Sequence, residues 1–240
     1  MERPHEPDEP VVSVFDTIAS LRATRVYEDR PLPADTLARI LRAGTLACSS
    51  GNTQPWEFVV VTDSETKQAL QQMMIEAFAG IDAQRAQPPD QLVDGAGRPV
   101  TGHAAIDHID VVAAIVLVFW NPDRGVRMQG EYAENPDGTL RATRHIPGGR
   151  GSSLFPACQN MMLAAQALGV SSLFTTFFGL AEADVKGRLH VPPRMFLEAG
   201  VFLGYGAEPL GRPRRKPLGE VVHLNDWMGR YDPPGEVPVP

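Results

Sequence analysis

A chain of 240 residues with 43% hydrophobic and 21% charged residues has the make-up of a globular protein able to bury its own core. Its formal net charge of −7 argues against a general nucleic-acid binder and leaves room only for a local basic pocket. No run of about 18 apolar residues occurs, so no membrane span is expected.

Residues 1–13 form an acidic, proline-rich arm without the apolar centre of a secretory signal, which predicts a disordered segment and a cytoplasmic protein. Val14 to Leu21 reads as a short helix, Pro31-Leu32-Pro33 breaks the chain, and Ala34 to Ala47 reads as a second helix with Leu37, Ile40, Leu41 and Leu46 at near-helical spacing. A polar loop, Ser49-Ser50-Gly51-Asn52-Thr53-Gln54-Pro55-Trp56, leads into Glu57 to Thr62, a β-branched run expected to be a central strand. Asp63 and Ser64 are good caps for a third helix reaching Ala79.

Gly80 to Asp107 is poorly periodic and reads as a functional lid or a disordered loop. Val111 to Trp120 is almost continuously apolar, the pattern of a strand buried on both faces. Glu131 to Arg141, with Asp137-Gly138 at its middle, reads either as a projecting hairpin or as a plain surface loop. Ser152 to Leu168 has little polar face, so it must be buried on all sides, as a central helix shared with a second subunit would be; Gly169 ends it. Ser172 to Phe178 follows as a strand or extended segment, Ala181 to Leu189 as a helix stopped by Pro192-Pro193, and Leu197 to Tyr205 as another apolar strand. Strands and helices mix along the whole length, which predicts one α+β domain over 14–222 with an extended tail over 223–240.

Two cysteines, Cys48 and Cys158, cannot build a disulfide framework and have no metal-ligand spacing; both read as small hydrophobes, although Cys48 adjoins the polar loop. The six histidines form no HExxH-like cluster, so no catalytic metal is expected. No Gly-x-Gly-x-x-Gly follows a strand, no Walker A sequence occurs, and Ser49-Ser50 is no nucleophile elbow. What remains is a pocket for an anion joined to a heterocycle. Arg22 and Arg25 suit a phosphate through charge-assisted, bidentate hydrogen bonds, and Arg214-Arg215-Lys216 could reach the same group; each cluster alone also reads as solvated surface. Ser49, Asn52 and Gln54 offer hydroxyl and amide groups able to read a ring edge. Phe174-Thr175-Thr176 could present backbone N–H groups and hydroxyls to a ring nitrogen, or be simple edge strand.

These segments, in this order, resemble the FMN-dependent nitroreductase family from about Val14 to Val222. The resemblance is carried by Arg22-Ala23-Thr24-Arg25, the Ser49–Trp56 loop, Gln159 to Gly169 with its closing Ala-Leu-Gly, and Gly204-Tyr205-Gly206 followed by Arg214 to Val222. It implies a central, mostly antiparallel sheet flanked by helices, in a domain shared across a homodimer. It also implies FMN, with Arg22, Ala23, Arg25, Arg214 and Lys216 at the phosphate and ribityl chain. Ser49, Ser50, Asn52 and Gln54 of the opposite subunit would line the isoalloxazine, and Phe174, Thr175 and Thr176 would meet its other face. Reduced nicotinamide (NADPH or NADH) would pass hydride to the flavin and give way to an electron-poor small molecule, a nitroaromatic, quinone or activated alkene, so no side chain need be a catalytic acid. Three departures bear on the substrate: Ala23 where a serine is common, Cys48 in place of proline, and Thr176 where some members carry an acid. A specialised member (dehalogenation, enone reduction, flavin breakdown), a flavin-storing protein, and an interaction protein with a merely similar scaffold stay open. The segments 80–107 and 121–150 are the candidates for substrate-selecting lids.

Overall fold

Seven consecutive apolar residues, Ala114–Trp120, have no solvent-tolerant side, and the computed structural model places them between two layers with every residue at 0–2% exposure. The structure describes residues 13–82, 105–125, 130–145, 148–211 and 215–233. In chain order the elements are α1 (Val14–Ser20), α2 (Ala34–Thr45), β1 (Trp56–Val61), α3 (Ser64–Asp82), β2 (Ala114–Trp120), β3 (Gly130–Glu134), β4 (Leu140–His145), α4 (Gly151–Ala167), β5 (Ser171–Thr175), α5 (Glu182–Arg188), β6 (Phe196–Gly204) and α6 (Leu218–Val221).

The main sheet has the order β1-β2-β6-β5, and every pair in it is antiparallel. Alternation along the strands sends side chains into two separate cores. On one face Val116, Val118, Val201 and Leu203 meet Ile40 of α2 and Leu154, Ala157, Met161 and Ala165 of α4. On the other, Ile115, Leu117, Phe119 and Phe202 meet Leu70, Met74 and Phe78 of α3, Phe178 and Val185. Local signals set the ends of the helices. Asp63 Oδ1 accepts the Thr66 N–H at 2.8 Å and caps α3, a bond that holds this carboxyl below its ordinary pKa. Gly169 at φ 72° closes α4 in a Schellman turn, with Val170 N–H donating to Ala165 O at 2.8 Å.

Several expectations change. The Glu57–Thr62 run is not central: β1 lies at the edge of the described sheet, and its apolar character comes from packing on both faces. The strand beginning near Ser172 stops at Thr175, because Phe177–Ala181 turns into a 3₁₀ segment. α4 is not enclosed on all sides within one chain; Phe155, Pro156 and Gln159 form an open flank opposite the buried Leu154, Ala157, Cys158 and Met161. α3 runs to Asp82 and so takes the first three residues of the loop expected over 80–107; Ile106 near its end is a core residue, and 83–104 lie outside the described residues. The Asp137-Gly138 signal does make a hairpin, β3–β4, with Gly138 at φ 79°. Within the described part of the tail, His223 and Arg230 form an antiparallel bridge.

Candidate functional site

The Arg22–Glu28 segment is fastened by main-chain bonds rather than lying free. Ala23 pairs in parallel with Ser172, Thr24 N–H donates to Ser172 O at 3.0 Å, and Glu28 N–H donates to Tyr205 O at 2.8 Å. Tyr27 pairs with Gly206, where an added Cβ would stand 3.1 Å from Ser171 Oγ and 3.3 Å from Thr24 Cγ2. A side chain there would press on both neighbours. Burial drives the Tyr27 phenol far above its ordinary pKa, with Arg25 pulling the other way, and its hydroxyl donates to Thr24 O at 2.8 Å. The Arg22 guanidinium donates to Ala19 O and Leu21 O, each at 2.7 Å, and to Gly211 O at 2.9 Å. It therefore ties the end of α1 to the tail just before Arg214, which lies outside the described residues. Arg25 is exposed, with a 3.3 Å bond to Ala23 O, and Lys216 is exposed on the tail.

From Ser172, the partner of Ala23, β5 runs three residues to Thr175, roughly 10 Å at strand rise. Phe174 is half-buried and meets Phe155 of α4 edge to face at 5.5 Å. Thr175 Oγ accepts the Phe177 N–H at 3.1 Å, and the exposed Thr176 accepts the Gly179 N–H on its carbonyl at 3.1 Å. Phe178 underpins this turn, packed against Gly200, the β6 partner of Thr175.

The Ser49–Trp56 loop is built differently. Gly51, Asn52 and Gln54 have φ of 59°, 54° and 49°, a cluster of left-handed residues of which only the first is a glycine. Ser49 Oγ accepts the Gln54 N–H at 3.0 Å, and Gln54 Nε2 reaches Asn52 O at 3.4 Å. Ser50 N–H donates at 3.3 Å to Ser153 Oγ in the first turn of α4. The buried Thr53 Oγ has no partner among the described residues. Beneath the loop α2 and α4 touch closely: a Cβ on Gly44 would lie 2.7 Å from Met161 Cγ. Cys48 is exposed, whereas Cys158 is buried in α4 and its thiol is pushed up to about 12.

Ala23, between Arg22 and Arg25, is bridged to Ser172 of β5, three residues before Thr175. The loop that carries Ser49, Ser50, Asn52 and Gln54 reaches the first turn of α4 through the Ser50 N–H on Ser153. Sequence reading missed Ser153, Ser172 and Gly44, because each acts through a neighbour distant in the chain. The described residues thus form an antiparallel α+β domain in which the Arg22–Arg25 segment is bridged to the edge strand β5 and a separate loop carries three left-handed residues. The nitroreductase family model matches residues 18–205, and the chain belongs to the nitroreductase family. It is 29% identical over 219 residues to a Thermus thermophilus protein named NADH dehydrogenase, covering 89% of this chain and 96% of that one. It is 32% identical over 213 residues to Danio rerio iodotyrosine deiodinase, covering 88% of this chain and 66% of the relative. The fold matches a putative nitroreductase from Desulfovibrio desulfuricans in complex with FMN at a TM-score of 0.63 and 21% identity, covering 91% and 99%.

Among the described residues, no helix is long and apolar enough to cross a membrane and no group of His, Cys, Asp and Glu could hold a metal.

Proposed function

We propose that the protein is an FMN-dependent oxidoreductase that takes hydride from NADPH or NADH and reduces an electron-poor small molecule in a ping-pong cycle. We further assign it to the cytoplasm as a homodimer of the 14–222 domain. The observation that supports this reading is the Arg22–Arg25 segment fastened by its main chain to Ser172 of β5, the edge strand that ends at Thr175. The donor set fits FMN: guanidinium and ammonium groups for a phosphate, and hydroxyls and amides for a ring edge, including the unpartnered Thr53 hydroxyl.

In this reading Arg22, Arg25, Arg214 and Lys216 hold the phosphate and ribityl chain, with Ala23 contributing backbone only. Phe174, Thr175 and Thr176 lie against one face of the ring through backbone groups. Ser49, Ser50, Asn52 and Gln54 reach it from the opposite subunit, and the open flank of α4 supports a subunit contact there. When bound, FMN supplies the hydride relay. The chain's residues orient the ring, exclude water and neutralise the phosphate.

The visible spectrum of the purified protein, taken before and after anaerobic NADPH and then NADH, tests the reading. Flavin bands that bleach support it, and a colourless protein that takes up no FMN overturns it. Replacing Arg22 and Arg214 together by Ala should strip the flavin; full retention would remove the phosphate assignment. The deiodinase relative supports a second reading, reductive dehalogenation. Iodide release from 3-iodotyrosine by the reduced protein separates the two.

A further inference from the structure

The β3–β4 hairpin is a separate two-stranded sheet, and its Tyr132 packs onto the core on the α4 side of the main sheet. Tyr132 projects from a register shift in β3 into a triangle of rings, 5.4 Å from Trp120 and 5.2 Å from Phe196, which are themselves 5.7 Å apart. The Arg150 guanidinium closes the triangle, 4.3 Å over the Phe196 ring, and donates to the Tyr132 hydroxyl at 3.3 Å. Arg150 is in turn paired with Glu198, whose side chain is only 14% exposed. Val118 pairs with Ala199 and Phe119 with Leu197, so Glu198 is the extra residue of a β-bulge. Bulges turn a side chain out of the strand's alternation, and here the bulge turns an acid onto the α4 face to meet Arg150. The Glu198 carboxylate and the Tyr132 hydroxyl outweigh the effect of burial and hold the guanidinium pKa above its ordinary value.

This latch sits where the candidate site is built. Arg150 immediately precedes α4, whose Ser153 holds the Ser50 N–H of the 49–56 loop. Trp120 pairs with Trp56 at the end of that loop, and Asn121 N–H donates to Pro55 O at 2.7 Å. Glu198 lies two residues from Gly200, the strand partner of Thr175. The hairpin is therefore bolted to the sheet end that carries both the loop and the Thr175 turn.

We propose that Tyr132 is a specificity-determining residue: through Phe196, Arg150 and Glu198 it fixes the β3–β4 hairpin as a wall of the acceptor space, limiting the size of the molecule reduced. The inference rests on the oxidoreductase reading above. Releasing the latch should relax the size limit without touching the groups assigned to FMN.

The test uses the full-length protein loaded with FMN, comparing Tyr132→Ala, Tyr132→Phe and Glu198→Gln with the parent. Two acceptors are used, a benzoquinone and the larger naphthoquinone menadione. For Tyr132→Ala, kcat/KM for menadione relative to benzoquinone should rise about tenfold, with flavin content unchanged. Tyr132→Phe, which keeps the ring, should stay within about twofold of the parent. Hydrogen–deuterium exchange on the flavin-free proteins should show faster exchange over 130–145 in Tyr132→Ala and no change over 22–28. If Tyr132→Ala does not fold, Glu198→Gln keeps the side-chain shape and should move both readouts the same way by a smaller factor. An unchanged acceptor ratio in folded, flavin-loaded Tyr132→Ala or Glu198→Gln overturns the proposal. So does unchanged exchange over 130–145. A parent protein that binds FMN and turns over both quinones while the ratio stays fixed sinks only the latch. A parent that binds no flavin or reduces neither quinone sinks the oxidoreductase reading and the latch with it.

Discussion

The two halves of the candidate site are held by different kinds of bond. The Arg22–Glu28 segment belongs to the sheet: main-chain hydrogen bonds to Ser172 and Tyr205 hold it, and the Arg22 guanidinium and Tyr27 hydroxyl add side-chain support. The Ser49–Trp56 loop depends on particular side chains, on Ser49 and Ser153 as acceptors, on three left-handed residues, and on the absence of a Cβ at Gly44. A backbone-held segment tolerates substitution and keeps its charges in place. A side-chain-held loop is more sensitive, because each support is a single interaction.

The largest effect that bears on this contrast is expected under the Thr175 turn. Phe178→Ala removes a ring at 1% exposure between Gly200 and the Phe202 ring and should cost about 3–5 kcal/mol in chemical denaturation. A loss below about 1 kcal/mol would show that the turn stands without it. Next, Gly44→Val forces α2 away from Met161 and should cost about 1–3 kcal/mol while weakening FMN binding through the loop. Stability lost with flavin affinity intact would separate the loop from the helix beneath it. Smaller again is Asn52→Ala, about 1 kcal/mol at φ 54°, with Asn52→Gly near the parent; equal losses in both would point to the amide rather than the backbone.

Cysteine labelling sharpens the picture without a stability cost. Iodoacetamide at pH 8 should modify exposed Cys48 and spare Cys158, which burial keeps as a thiol; two adducts on the folded protein would show α4 to be more open than described. The smallest expected effect is a control remote from both halves. The Asp63 carboxyl is held below its ordinary pKa, chiefly by the Thr66 N–H, so its contribution is present above the unfolded pKa and lost as pH falls through the folded one. Asp63→Asn should therefore lower stability slightly at neutral pH, flatten the acid limb of the profile and converge on the parent as pH falls.

The Phe155 flank shows how far a pattern reaches. An apolar helix such as Ser152–Leu168 announces burial, but the sequence cannot say whether the cover comes from its own chain, and in this chain Phe155 remains 40% exposed. Glu57–Val61 shows the converse: β-branched composition reports packing on two faces, not a place in the middle of the sheet.

By itself the sequence determined the α+β class, most elements near their observed limits, the Gly169 stop, and the arginine and amide segments that suggested a site, and it left the Gly138 turn open between hairpin and surface loop. Those are local properties, set by periodicity, capping and turn chemistry within a few residues. Only the tertiary structure decided that Ala23 would lie beside Ser172, that Ser153 would hold Ser50, and that a bulge would turn Glu198 to Arg150 beneath Tyr132. Each joins residues 48 to 149 positions apart in the chain, and such contacts depend on which strands pair and in what register, a choice made by the whole core at once.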